Sequence, residues 1–232
     1  MVTIGLITEG ITDQIVIENI LMGYFDKNED DIEFKELQPL RDNTDENKAK
    51  NYGGWDKVIE YCKSSKFKGA LRFHDYIIVQ IDTDVSDKPY GYGIPHYENA
   101  KELSPEQLIE KVVAKFIDLI GKAIYEKHKD KIIFAISVHS IECWLLPLCY
   151  SDKRKAKIVN CINTVDEKLK KSGMKIRLQN KKGEKNVESY REISEKYCKH
   201  KILIKLYLEN PSLKIFIAEV EKRNIVIDED DF

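Results

Sequence analysis

Tyr76-Ile77-Ile78-Val79-Gln80-Ile81-Asp82-Thr83-Asp84 decides how this chain is read. A nearly unbroken apolar run of this length suits a strand buried on both faces of a parallel sheet. It ends on two acids. Near the N-terminus, Ile4-Gly5-Leu6-Ile7-Thr8-Glu9-Gly10-Ile11-Thr12-Asp13 repeats the design: apolar residues, then carboxylates. In an open parallel sheet, ligands bind beyond the carboxyl ends of the strands. Carboxylates gathered there repel one another unless a cation lies between them, and hard oxygen donors suit Mg²⁺ or Mn²⁺. The expectation is a divalent-metal site of one or two ions.

Working outward, Val2 to Ile7 reads as the first strand. Thr12 is expected to cap a helix reaching about Tyr24, with Ile15, Val16, Ile20 and Leu21 on one face. Ile32 to Leu37 alternates like a strand, and the polar run from Arg41 to Lys50 reads as a loop. Trp55 to Lys66 has helical spacing through Val58, Ile59 and Cys62. Val85 to Leu103 is a long loop rich in Tyr, Gly and Pro, and loops of that length inside a domain are often functional. Ser104-Pro105-Glu106-Gln107 carries a capping box with proline in the first turn, opening a helix to about Lys127. Lys131 to Val138 is another buried strand. Beyond Tyr150 the chain is lysine-rich and helical, with a break near Gln179 to Lys185 and an acidic end at Asp228, Glu229, Asp230 and Asp231. Strands alternating with helices predict an α/β fold with a mainly parallel sheet and right-handed crossovers. Residues 1–150 would form the core and 151–232 a helical region packed on it.

Composition limits the rest. With 232 residues and a formal net charge of −2, no global basic field advertises nucleic-acid binding, so such binding needs a local patch. The five cysteines include no CxxC pair, which argues for free thiols in a reducing cytosol and against zinc. The N-terminus reads straight into a strand, with no basic n-region or cleavable h-region, so no secretory leader is expected. No apolar run reaches the roughly 20 residues of a bilayer span. A cytoplasmic protein is expected.

Each candidate has a plainer alternative. Glu9 could simply favour the first turn of a helix through its dipole. A lone Asp-x-Asp is usually a polar turn; position at the end of the most apolar strand is what lifts Asp82 and Asp84. In extended backbone, residues two apart point the same way, so the pair could share a metal. Glu142 sits among Ile141, Cys143, Trp144, Leu145 and Leu146, where a carboxylate is costly unless paired or metal-bound. The alternative is a solvent-facing acid on a short helix. Lys168 to Lys185 holds eight basic residues against one acid, Glu184. Lys175, Arg177, Lys181, Lys182 and Lys185 are its candidates for contacting a nucleic-acid backbone. A solvated helical face is the alternative. Tyr90, Tyr92, His96 and Tyr97 could stack bases, although a loop packed on itself is the preferred reading. His139 reads as structural rather than as a ligand, and Trp55 and Trp144 as core.

Glu9-Gly10 after the first strand, followed by Asp82-x-Asp84 after a later one, resembles the TOPRIM domain of topoisomerases, bacterial primases and overcoming-lysogenization-defect (OLD) nucleases. Gly10-Ile11-Thr12-Asp13 is similar to the EG-x-[ST]-D form of OLD-type and RloB-like TOPRIM proteins. Ser140-Ile141-Glu142-Cys143-Trp144-Leu145-Leu146 resembles their E-x-W-L-L segment, and Asn210-Pro211-Ser212-Leu213 their C-terminal end. The resemblance implies a Rossmann-like fold, Glu9 as acid/base, and Asp82 and Asp84 as Mg²⁺ ligands. Glu142 would complete the catalytic acids; Glu9, Asp82, Asp84 and Glu142 could together supply the metal's oxygens, with Asp13 as an outer or second-metal ligand. It also implies a late basic residue, with Lys185, Lys201 and Lys205 as candidates. The stretch from Tyr150 to Lys205 departs from the family pattern.

The function this implies is a metal-dependent nuclease acting on DNA or RNA, an anti-phage defence effector working with an ABC- or AAA-type ATPase partner. The chain lacks a GxxxxGK[ST] phosphate loop, so it is not itself that ATPase. Asp82-Thr83-Asp84-Val85 also fits the D-x-D-x-[TV] pattern of HAD-like phosphatases, in which Asp82 would be a nucleophile. A non-catalytic subunit binding nucleic acid or a partner protein is the third reading.

Overall fold

The computed structural model describes residues 1–27, 31–41 and 53–227. Most of the expected 41–50 loop, and the acidic end from Asp228 to Asp231, lie outside them.

The elements run β1 (Val2–Ile7), α1 (Ile11–Phe25), β2 (Ile32–Gln38), α2 (Trp55–Lys63), α3 (Ser65–Phe73) and β3 (Tyr76–Asp82). A small hairpin follows, β4 (Tyr97–Glu98) and β5 (Lys101–Glu102), then α4 (Pro105–Ile120), α5 (Lys122–His128), β6 (Ile132–Ser137) and α6 (Glu142–Cys149). The C-terminal helices are α7 (Cys161–Lys171), α8 (Val187–Ser194), α9 (His200–Leu206) and α10 (Pro211–Glu221). Among the described residues, four strands form one parallel sheet in the order β2-β1-β3-β6. This is the Rossmann-like α/β architecture the alternation predicts.

Strand parity sorts the core. Ile4, Leu6, Ile78, Ile133 and Ala135 face one layer, built from α1, α6 and the helices beyond 150. Ile77, Val79, Ile81, Phe134 and Ile136 face the other, with Val58, Phe67, Leu71, Val112 and Phe116 of α2, α3 and α4. Both faces of β3 are therefore covered, which is why its sequence is apolar throughout. Gln80 and Asp82 share the parity of Ile78 and so face α1 and α6. That is how the fold places Asp82.

Several boundaries differ from expectation. Gly10, not Thr12, occupies the N-cap position of α1, and Thr12 Oγ1 instead donates to Asp13 Oδ2 at 3.2 Å. The helix expected over 55–66 is two: Ser64 adopts extended backbone, accepts from Lys66 N and starts α3. The helix expected to reach Lys127 breaks at Gly121. The capping box at Ser104 forms as read, with both Ser104 and Gln107 engaged. The expectation of free thiols fails at one pair. Cys143 and Cys161 form a disulfide, Cα–Cα 5.0 Å, because the chain folds back after α6 and sets the start of α7 against its first turn. Residues 18 apart in sequence give no sign of that return.

Candidate active site

Glu9 leaves β1 with its backbone pinned on both sides: its N–H donates to Gln80 Oε1 at 3.0 Å and its carbonyl accepts from Gly54 N at 2.7 Å. Its carboxyl Oε1 accepts from the Asp82 N–H at 2.7 Å. Asp82, at the end of the neighbouring strand, is held by Gln80 Nε2 at 2.8 Å and Ile141 N at 3.1 Å, both on Oδ1. Gln80 thus ties the two strand ends together. From the opposite side, α1 brings in Asp13, which is 1% exposed. Its Oδ2 is met by Thr12, while Oδ1 is buried with no hydrogen-bond partner. A Cβ at Gly10 would stand 2.8 Å from Asp13 Oδ2, so glycine is needed for the acid to tuck against the backbone.

Glu142 opens α6 and is 2% exposed, which overturns the solvent-facing alternative. Its Oε1 accepts from the buried Tyr190 hydroxyl and from Lys185 Nζ at 2.7 Å. Lys185 arrives from an irregular segment, not a helix. Gln179 and Lys185 pair as a β-bridge, and Asn180 Oδ1 accepts from Lys182 N and Glu184 N to close the turn. The lysine stem runs along the surface, 37% exposed, while its ammonium reaches the carboxylates. Of the three late basic candidates, Lys185 is the one at the site; Lys201 and Lys205 lie on α9, outside its ion pairs. Asp84 is exposed at the rim, past the end of β3, while Asp82 lies on the floor.

The electrostatics show that these groups feel one another. Burial, then the Asp13 charge, pushes the Glu9 carboxyl up to about 8. Burial raises Asp82 well above the usual carboxylate range, with Asp13 and Glu9 adding to it. Burial also raises Asp13 and Asp84. Glu142 goes the other way. Burial opposes its ionisation, but the Lys185 ammonium together with the Ser140 and Tyr190 hydroxyls outweighs this and holds the carboxyl at about 2. Reciprocally, burial disfavours the Lys185 charge, yet Glu142, Asp13 and Asp82 keep that lysine well above its ordinary value. The site divides into a charged Glu142–Lys185 pair and a set of carboxyls whose ionisation is opposed by burial and by one another.

Glu9, Asp13, Asp82, Asp84 and Glu142 therefore lie near enough for their charges to act on one another. Among the described residues, however, no three acid, His or Cys side chains stand at metal-ligating separation. The donor chemistry nonetheless fits a hard cation. The partnerless buried Oδ1 of Asp13, and the Glu9 and Asp82 carboxyls whose ionisation burial and neighbouring acids oppose, mark a place short of positive charge.

Sequence reading missed two groups. Gln80 has a signal in hindsight: a lone amide inside an apolar strand, two residues before Asp82 and on its face. Tyr190 has none, being one aromatic in a helix more than forty residues from Glu142. The basic candidates separate. Lys185 enters the site, Lys181 and Lys182 are exposed on its turn, and Lys175 is exposed farther back. Arg177 instead donates to the carbonyls of Met174 and Ile176. The preferred reading of the tyrosine loop holds for Tyr92, whose hydroxyl donates to Asp82 O at 2.7 Å, but Tyr90 and Tyr97 are exposed. His139 is structural in its backbone: at φ +60° its carbonyl accepts from Thr83 N and Asp84 N, bracing the acidic loop. Trp144 is fully buried, as expected, and donates to Ser212 Oγ at 2.8 Å. Among the described residues no helix is long and apolar enough to cross a membrane. In comparisons with known proteins, no family model, no curated protein and no solved structure matches this chain.

Proposed function

We propose that the chain is a metal-dependent hydrolase of nucleic-acid phosphodiesters, a TOPRIM nuclease of the OLD-type or RloB-like kind. The observation that carries this reading is the convergence of Glu9, Asp13, Asp82 and Glu142 with Lys185 at the carboxyl edge of a parallel sheet. Glu9, Asp13, Asp82 and the rim acid Asp84 would hold Mg²⁺ or Mn²⁺, with Glu142 fixed beside them. With such an ion held there, phosphate charge would be neutralised and the pKa of a water placed to attack it would be lowered.

The protein's own groups do the rest. Glu9, whose Oε1 meets the Asp82 N–H at the end of β3, is the group proposed to take and return a proton. Lys185 stays charged through the working pH range and supplies positive charge where the phosphoryl group gains negative charge. Tyr190 and Lys185 together fix Glu142, and Gln80 and the Ile141 N–H fix Asp82. Lys181 and Lys182, on the turn that delivers Lys185, are placed to meet the substrate backbone. We place the protein in the cytoplasm, as a defence effector governed by an ATPase partner.

The test is incubation of the chain with plasmid, single-stranded DNA and tRNA in Mg²⁺ or Mn²⁺, alongside Glu9→Gln and Asp82→Asn variants. Cleavage that needs metal and disappears in folded variants supports the reading. Full metal-dependent cleavage by Asp82→Asn would overturn it, as would phosphomonoesterase activity alone.

A further inference from the structure

The loop between β3 and α4 is pinned to the site at two points. Tyr92, 5% exposed, donates its hydroxyl to Asp82 O at 2.7 Å. His96 Nε2 lies 2.7 Å from Thr83 O and 2.9 Å from Ser86 Oγ. Ser86 in turn bonds Ile94 through both its hydroxyl and its carbonyl, each at 2.9 Å. A Cβ at Gly91 would stand 1.7 Å from Val85 O, so this crossing is closed to any other residue. The loop is a built support rather than a loose excursion.

Beside each pin stands an aromatic ring with no packing role. Tyr90, two residues before Tyr92, is 68% exposed; Tyr97, next after His96, is 58% exposed and begins the small hairpin. Every other aromatic of the loop is turned inward. Exposed rings within one or two residues of anchors on Asp82 and Thr83 offer the open face that stacking on an unpaired base requires, since a base in a duplex has both faces covered. Charge is not the attraction here. Lys88 is paired with Asp87 at 3.1 Å and Lys111 with Glu98 at 3.3 Å.

We infer that Tyr90 and Tyr97 form a stacking platform that selects single-stranded nucleic acid for this site. The inference deepens the phosphodiesterase reading and rests on it for the site's purpose, but binding can be measured without turnover. Fluorescence anisotropy with labelled single-stranded DNA and RNA of about 20 nucleotides, and with the matching duplex, supplies the affinities in EDTA and in Mg²⁺. The wild type should prefer the single strands. Tyr90→Ala/Tyr97→Ala should weaken single-strand binding by about tenfold or more, and Tyr90→Phe/Tyr97→Phe should restore it, because the ring and not the hydroxyl stacks. The loss should be the same at low and high salt, unlike loss of a phosphate contact. Alanine variants binding within about twofold of wild type, or a wild type that prefers duplex, would overturn the inference whatever the cleavage assay shows. Tight, ring-dependent binding without any cleavage would instead leave the platform standing and remove the hydrolase.

Discussion

Replacing Lys185 with methionine should unbalance the site in a measurable way. The Lys185 ammonium is 2.7 Å from Glu142 Oε1, and Glu142 is 2% exposed. Against the burial that opposes ionisation, that neighbour, with the Ser140 and Tyr190 hydroxyls, holds the Glu142 carboxyl at about 2. Removing one partner of a buried ion pair leaves the other charge stranded, which costs about 3 kcal/mol at neutral pH. Water reaching the exposed lysine stem screens part of this, leaving about 2 kcal/mol. Urea unfolding in EDTA at pH near 7.5 measures the loss for Lys185→Met, Glu142→Gln and the double variant. The cycle should return a coupling of about 2 kcal/mol, because the double variant removes both charges and leaves no stranded carboxylate. Mg²⁺ should recover part of the loss in Lys185→Met, by supplying the missing positive charge. A coupling below about 0.5 kcal/mol would show that the two groups do not meet in a protected site, and the reasoning would fail.

Other outcomes follow from the same geometry. The folded Glu9 carboxyl, at about 8, keeps a proton that the unfolded chain releases from about 4.5 upward. Stability in EDTA should therefore fall as pH rises through that window, and Glu9→Gln should flatten the slope; a melting temperature that climbs with pH across it contradicts this. Glu142 is shifted down, so its contribution is present above about 4.5 and is lost as pH falls toward about 2, which acid titration of Glu142→Gln should show. Reducing the Cys143–Cys161 disulfide should cost about 3 kcal/mol for a loop closed over 18 residues, and Cys143→Ser/Cys161→Ser should become insensitive to dithiothreitol. Ser104→Ala should cost about 1 kcal/mol by removing the capping box of α4, read by urea unfolding.

The sheet was legible because burial on both faces leaves an unmistakable pattern. Nothing but a central parallel strand asks for Tyr76 to Ile81 in that order. The acids at its edge were legible for the same reason: Asp82 inherits its position from the strand that carries it. Glu142 could be read from its apolar neighbours, since a carboxylate placed there needs a partner. The partner was harder. Lys185 was one basic residue among eight in its stretch, and only the turn closed by Asn180 brings its ammonium to Glu142. Tyr190 and the Cys143–Cys161 bridge are long-range meetings set by how α6, α7 and α8 pack, which no local spacing encodes. Helix boundaries slipped where one residue overrode periodicity, at Gly10, Ser64 and Gly121.

The central claim is that acids from β1, α1 and β3 meet at one place that binds a doubly charged ion. Anomalous scattering from a crystal grown with Mn²⁺ tests it most directly. The account predicts a peak bounded by Glu9, Asp13 and Asp82, lost in Asp82→Asn. Mn²⁺ bound elsewhere on the protein, with those three side chains unengaged at saturating metal, would contradict it.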